Sequence, residues 1–144
     1  MSLCKLDPII KPHLEILFIG QNPAPKSCEN GVYFTSNKSF WNQLFKAGLT
    51  SEVLVGNTFK FGDDKKLLDY NLGITDLIHE AYPKFMPEYF TNRQKERLAR
   101  EISFSQPCVL CFLGQESYRI FFSLPHSKKV KYGFQISTND RKIF

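Results

Sequence analysis

The run Leu14-Glu15-Ile16-Leu17-Phe18-Ile19-Gly20-Gln21-Asn22-Pro23-Ala24 decides the fold. Near-continuous apolar character from Leu14 to Ile19, ended by a glycine, suits a strand buried on both faces of a parallel sheet. Cys108-Val109-Leu110-Cys111-Phe112-Leu113-Gly114 repeats the apolar-then-glycine pattern, and Leu72 to Thr75 is a shorter strand of the same kind, with Asp76 to Ile78 turning away. Helical signals lie between them. After a cap at Ser36 or Ser39, Phe40, Trp41, Leu44, Phe45 and Leu49 fall on one helical face as core residues, with Gly48 in a C-terminal role. A short helix is expected from about Lys65 to Tyr70, with Asp63 and Asp64 at its positive end. Pro83 and Pro87 break the chain before a basic helix that starts at Thr91 and runs to about Phe104. Gln115 to Phe122 reads as a helix, Phe134 to Ser137 as a strand and Thr138-Asn139-Asp140 as a turn. Strands alternating with helices predict an α/β fold, a three-layer sandwich with a central mainly parallel sheet flanked by helices.

A chain of 144 residues gives room for one core, so residues 1–144 are read as a single domain. Hydrophobic residues at 42% and charged residues at 23% exclude a disordered tail and a coiled coil. The net charge of +5 favours an anionic partner, nucleic acid first. No apolar run approaches the ~18 residues of a membrane span, and the N-terminus lacks the apolar core of a signal peptide. The expected location is therefore intracellular, cytoplasmic and nucleoid-associated if the source is prokaryotic. Such a compartment would keep Cys4, Cys28, Cys108 and Cys111 reduced, and Cys108 and Cys111 are read as buried free thiols rather than metal ligands. His13, His79 and His126 lack partners at ligand or triad spacing and are read as surface or loop residues.

Ligands of open parallel sheets bind just beyond the carboxyl ends of the strands, which points to Gly20-Gln21-Asn22-Pro23-Ala24. With one glycine, this segment is neither a dinucleotide fingerprint nor a phosphate loop. It delivers an amide, Asn22, between a glycine and a rigid proline, ahead of a loop from Gln21 to Asn37 that carries Tyr33 and Phe34. An aromatic wall with an amide beside it suits a flat ring.

Four segments in order resemble the uracil-DNA glycosylase superfamily, and within it the mismatch-specific uracil and thymine branch. They are Gly20 to Ala24; Gly31-Val32-Tyr33-Phe34 with Phe40-Trp41; Leu67 to Leu77; and Leu113 to Tyr118. The resemblance implies hydrolysis of the N-glycosidic bond of uracil, with thymine as a further candidate, in double-stranded DNA with a flipped uracil or mismatched base. It gives Asn22 the water-positioning role and Phe34 the stacking role; Gly20, Gln21 and Pro23 are expected around the base, and the charge that grows on the base oxygens needs preorganised donors, for which backbone N–H groups near Gln21 and Phe34 are the candidates. It calls for no cofactor, no metal and no obligate protein partner. An amide can orient water but cannot take its proton, so the enzyme is expected to be slow.

Ala24 departs from the family's second glycine. The family's second motif, a Pro-Ser-Gly-type wedge loop, is missing, so the domain is expected to be truncated at its last strand, where Lys142-Ile143-Phe144 stand, and to lack a C-terminal helix. Leu124-Pro125-His126-Ser127 is read as a plain loop. Two rival expectations follow: a catalytically weak or inactive glycosylase-fold remnant that binds DNA, and an α/β binder of an unrelated small molecule. Lys26, Ser27 and Lys38 beside the pocket, and Lys128 and Lys129 in a later loop, are candidate phosphate contacts. Arg93, Lys95, Arg97 and Arg100 are read as a solvated helix face.

Overall fold

The computed structural model describes residues 3–135 and 142–144. Four parallel strands form one sheet in the order β2-β1-β3-β4, with β1 at Ile16–Gly20, β2 at Leu72–Asp76, β3 at Val109–Phe112 and β4 at Lys142–Ile143. Helices α1 (Pro25–Asn30), α2 (Ser39–Lys46), α3 (Asn92–Ser105) and α4 (Gln115–Phe121) accompany it, with a 3-10 helix at Asp63–Tyr70 leading into β2.

Alternation along the strands builds two cores. Ile16 and Phe18 of β1 pair in register with Leu72 and Ile74 of β2, so all four point to one face, where Trp41 and Leu44 of α2 cover them. Leu17 and Ile19 pair with Leu110 and Phe112 of β3 and meet Leu98 and Ile102 of α3 on the opposite face. The sandwich therefore has three layers, as expected from the alternation of strands and helices.

Several local expectations need correction. The segment from Gln21 to Asn37 is not loop throughout, because Pro25 starts α1 and Gly31, in the left-handed region at φ 69°, ends it. Phe45 is 46% exposed, whereas Trp41 and Leu44 are buried. Cys4 and Cys28 form a disulfide that holds the N-terminal segment beside α1, and the N–H of Ala81 bonds the carbonyl of Cys4. Cys108 lies just before β3 and is exposed, and Cys111 is half-buried. Packing against the α2-side core pushes the Cys111 thiol up to about 11. Gln135 bridges Ile143 in antiparallel fashion and Phe134 of the expected strand is outside any strand, while Ile136, Ser137 and the turn at Thr138 to Asp140 lie outside the described residues. Among the described residues, no helix is long and apolar enough to cross a membrane.

Thr91 caps α3 as the sequence suggests, its side chain accepting from the Gln94 N–H at 3.4 Å. Thr91→Ala should cost about 1 kcal/mol by urea denaturation, with α3 otherwise intact by circular dichroism.

Candidate functional site

Gly20 ends β1, but the hydrogen-bond ladder continues: the N–H of Leu77 reaches the Gly20 carbonyl at 2.8 Å and that of Ile78 reaches the Gln21 carbonyl at 3.1 Å. This extension fixes the direction in which Asn22 leaves the sheet. Its Nδ2 donates to the carbonyls of Tyr82 at 3.1 Å and Glu80 at 3.4 Å. Carbonyls accept only, so the amide has one orientation, and Oδ1 is the atom left to accept from a ligand or a water.

Asn22 borders a pocket of about 240 Å³ that it shares with Pro23, Ser27, Tyr33, Phe34 and Asp76. The aromatic wall is fixed from three sides. The Tyr33 N–H donates to Asp64 Oδ2 at 2.9 Å, its hydroxyl to the Asp7 carbonyl at 3.0 Å, and its carbonyl accepts from Trp41 Nε1 at 3.0 Å. Phe34 packs on Phe40 with ring centroids 4.5 Å apart and has φ 53°, a left-handed conformation costly for a bulky residue. The Thr35 N–H bonds Ser27 Oγ at 3.1 Å, tying the turn after Phe34 to α1. The ring of Phe34 is thus held by its surroundings rather than free to collapse.

Asp76, at the carboxyl end of β2, is the residue the sequence reading missed. It is 3% exposed, borders the pocket, and its Oδ2 has no hydrogen-bond partner among the described residues. Burial, partly offset by the Arg97 guanidinium and reinforced by Glu101, pushes its carboxyl up to about 7. Because Gly20 lies opposite Asp76 in the register, a β-carbon at Gly20 would stand 2.5 Å from Asp76 Oδ1. Gly20→Ala should therefore displace the carboxyl, destabilise the protein by about 1–3 kcal/mol in thermal unfolding, and perturb ligand binding in the pocket. The signal is in the sequence: β2 neighbours β1, so its last residue lies at the same functional edge, one position beyond the Thr75 at which the sequence pattern ends the strand.

Behind Asp76, α3 supplies a strut rather than only a solvated face. Arg97 donates to the backbone carbonyls of Asp76 at 2.9 Å and Leu77 at 2.6 Å, and to Glu101 at 2.7 Å. His79 is no surface residue; it lies against Arg97 and Glu101 with a side chain 12% exposed. Burial works against the Glu101 carboxylate, but hydrogen bonds from His79, Thr75 and Arg97 hold it below the usual carboxylate range. Arg93, Lys95 and Arg100 are exposed, as expected.

The other candidates are dispersed. Gln21 is half-buried beside the pocket. Lys26 is exposed and pairs with Glu29 at 3.7 Å. Ser27 is buried in the pocket wall, its hydroxyl engaged with Thr35, rather than lying on the surface where a phosphate would pass. Lys38 follows Asn37 of the pocket wall and reaches Asn57 at 3.4 Å. Lys128 and Lys129 are exposed in the loop after α4, away from this pocket. Among the described residues, no group of three or more histidine, cysteine or carboxylate side chains is placed to hold a metal ion.

The family model that describes the uracil DNA glycosylase superfamily matches residues 8–143. The fold is similar to the solution NMR structure of a Methanosarcina acetivorans protein described as a candidate uracil DNA glycosylase, at 17% identity and a TM-score of 0.58, covering 81% of this chain and 73% of that one.

Proposed function

Since the chain belongs to the uracil DNA glycosylase superfamily, we propose that it is a monofunctional DNA glycosylase that removes uracil, with thymine as a second substrate, from mismatched duplex DNA. The observation that carries this reading is the fixed amide of Asn22 facing a rigid aromatic wall across one small pocket. A base turned out of the helix stacks on Phe34. The C1′–N1 bond breaks with its electron pair passing to the base, and Asn22 Oδ1 holds the water that adds to C1′. The water's proton leaves to solvent, since an amide does not accept it. Confining water and sugar in one geometry is then the main contribution of Asn22. The net charge of +5 supports attraction to the DNA backbone.

Duplexes carrying G·U, A·U or G·T, each incubated with the protein and then treated with alkali, test the reading. G·U should be cleaved fastest, because a mispaired uracil costs least to extrude. A·U cleaved as fast as G·U would remove the mismatch preference. Duplex binding with no cleavage of any substrate would favour the DNA-binding remnant.

A further inference from the structure

The N-terminal segment touches both the support of Asn22 and the aromatic wall. Beyond β2 it runs antiparallel to the chain that continues that strand: Lys5 bridges Glu80, the Leu6 N–H donates to the His79 carbonyl at 3.1 Å, and the Ala81 N–H donates to the Cys4 carbonyl at 2.8 Å. The same stretch carries the Glu80 and Tyr82 carbonyls to which the Asn22 amide donates. Towards the wall, the Asp7 carbonyl accepts from the Tyr33 hydroxyl at 3.0 Å, and Cys4 is bonded to Cys28 of α1. Cys28 follows Ser27, a pocket residue whose Oγ holds the Thr35 N–H just after Phe34. The disulfide therefore links the stretch that positions Asn22 to the helix that positions Phe34.

Its two sulfurs belong to residues in unlike surroundings. Cys28 is 5% exposed within the α2-side core, whereas Cys4 is exposed. An external thiolate has access to Cys4, with Cys28 as the leaving group. Among the described residues, Cys4 is otherwise held by the bond from Ala81 and by its neighbour's pairing with Glu80 at 3.8 Å, and an ion pair with so exposed a lysine contributes little. Further along, Leu6 and Ile9 are buried, and Ile9 exchanges both backbone bonds with Ile74 at 2.9 and 3.0 Å. Opening the disulfide thus frees the end of the segment and α1 without undocking the rest, and the cysteines stay near enough to pair again.

Resting on the glycosylase reading above, we propose that the Cys4–Cys28 disulfide is a thiol–disulfide exchange site for a dithiol reductant, and that its redox state sets the excision rate of the adjoining pocket. One thiolate of the reductant attacks Cys4 Sγ, forming a mixed disulfide and releasing Cys28, which takes a proton. The reductant's second thiol then attacks its own sulfur in the mixed disulfide, which frees Cys4 as a thiol and leaves the reductant as a disulfide. The protein gains two electrons and two protons, and the reductant loses them. Oxidised, the chain holds Asn22 and Phe34 in one geometry. Reduced, their supports move independently, and small misplacements of a water-positioning group are costly in rate.

Dithiothreitol serves as the reductant. Titration in denaturant should count two free thiols before treatment and four after it. Single-turnover excision from a G·U duplex should fall about tenfold on reduction and recover on reoxidation. Cys4→Ser, a change at an exposed position, should show the lower rate with or without dithiothreitol. Amide hydrogen exchange reads the same switch without turnover: reduction should speed exchange at Ala81 and Thr35 and leave α3 protected. Four thiols in the air-oxidised protein, equal excision rates in the two counted states, or a Cys4→Ser rate that still responds to dithiothreitol overturns the proposal. Loss of protection throughout α3 on reduction also overturns it, because the bond would then hold up the whole fold rather than tune the pocket. If the protein excises nothing in either state while exchange at Ala81 and Thr35 follows the redox state reversibly, the glycosylase reading fails and the exchange site stands.

Discussion

Asp76→Asn should stabilise the protein at pH 8 by roughly 4 kcal/mol and make its stability less dependent on pH. The carboxyl is raised from 3.8 to about 7, chiefly by burial. Between those values the folded state holds a proton that the unfolded state releases, so stability contributed by the neutral group is complete below about 4. It is lost progressively as the pH rises and gone above about 7. Asparagine has no proton to lose. Urea denaturation at pH 5 and at pH 8 should therefore give the variant a small advantage at the lower pH and a large one at the higher. Equal midpoints for the two proteins at pH 8 would mean that Asp76 is not held in an environment that resists its charge. A residue that weakens the fold at neutral pH is expected of a binding site rather than of a core.

Asn22→Ala should lower the excision rate by about 10²-fold or more, the larger of the two effects on function. Two consequences combine. The acceptor Oδ1 disappears from the pocket, and the donors to the Glu80 and Tyr82 carbonyls disappear with it, which loosens the segment from Glu80 to Tyr82. The second consequence is tested separately: thermal unfolding should show a loss of about 1–2 kcal/mol, too small to unfold the protein at assay temperature. A glutamine at this position carries the same amide on a longer stem and should not rescue the rate, because the anchors set the position of Oδ1 to within a hydrogen-bond length.

The parts of the fold legible in the sequence were those governed by local pattern. The apolar runs that became β1 and β3 lie within a sheet whose two faces are both covered, so no polar alternation interrupts them. Thr91 announced the start of α3 because capping is a short-range effect. Asn22 and Phe34 were legible for a related reason: an amide directly after a buried strand, and an aromatic ring in a polar loop, are locally unusual. What the sequence hid depends on contacts between distant segments. Asp76 is separated from Gly20 by 56 positions and becomes remarkable only when β2 is laid beside β1 in register. Arg97 reads as one more charge on a basic helix until the carbonyls of Asp76 and Leu77 appear beneath it. The disulfide partners Cys4 and Cys28 share no spacing rule, and their meeting depends on the N-terminal segment running beside Ala81. The burial of His79 is hidden in the sequence for the same reason, its partners Arg97 and Glu101 lying on α3.

The central claim is that Asn22 holds the attacking water across from a base stacked on Phe34. Single-turnover cleavage of a G·U duplex by the unmutated protein and by Asn22→Ala, with affinity for an uncleavable duplex measured alongside, tests it most directly. The account predicts a rate lowered by about 10²-fold or more with duplex affinity nearly unchanged. Equal rates for the two proteins would contradict it.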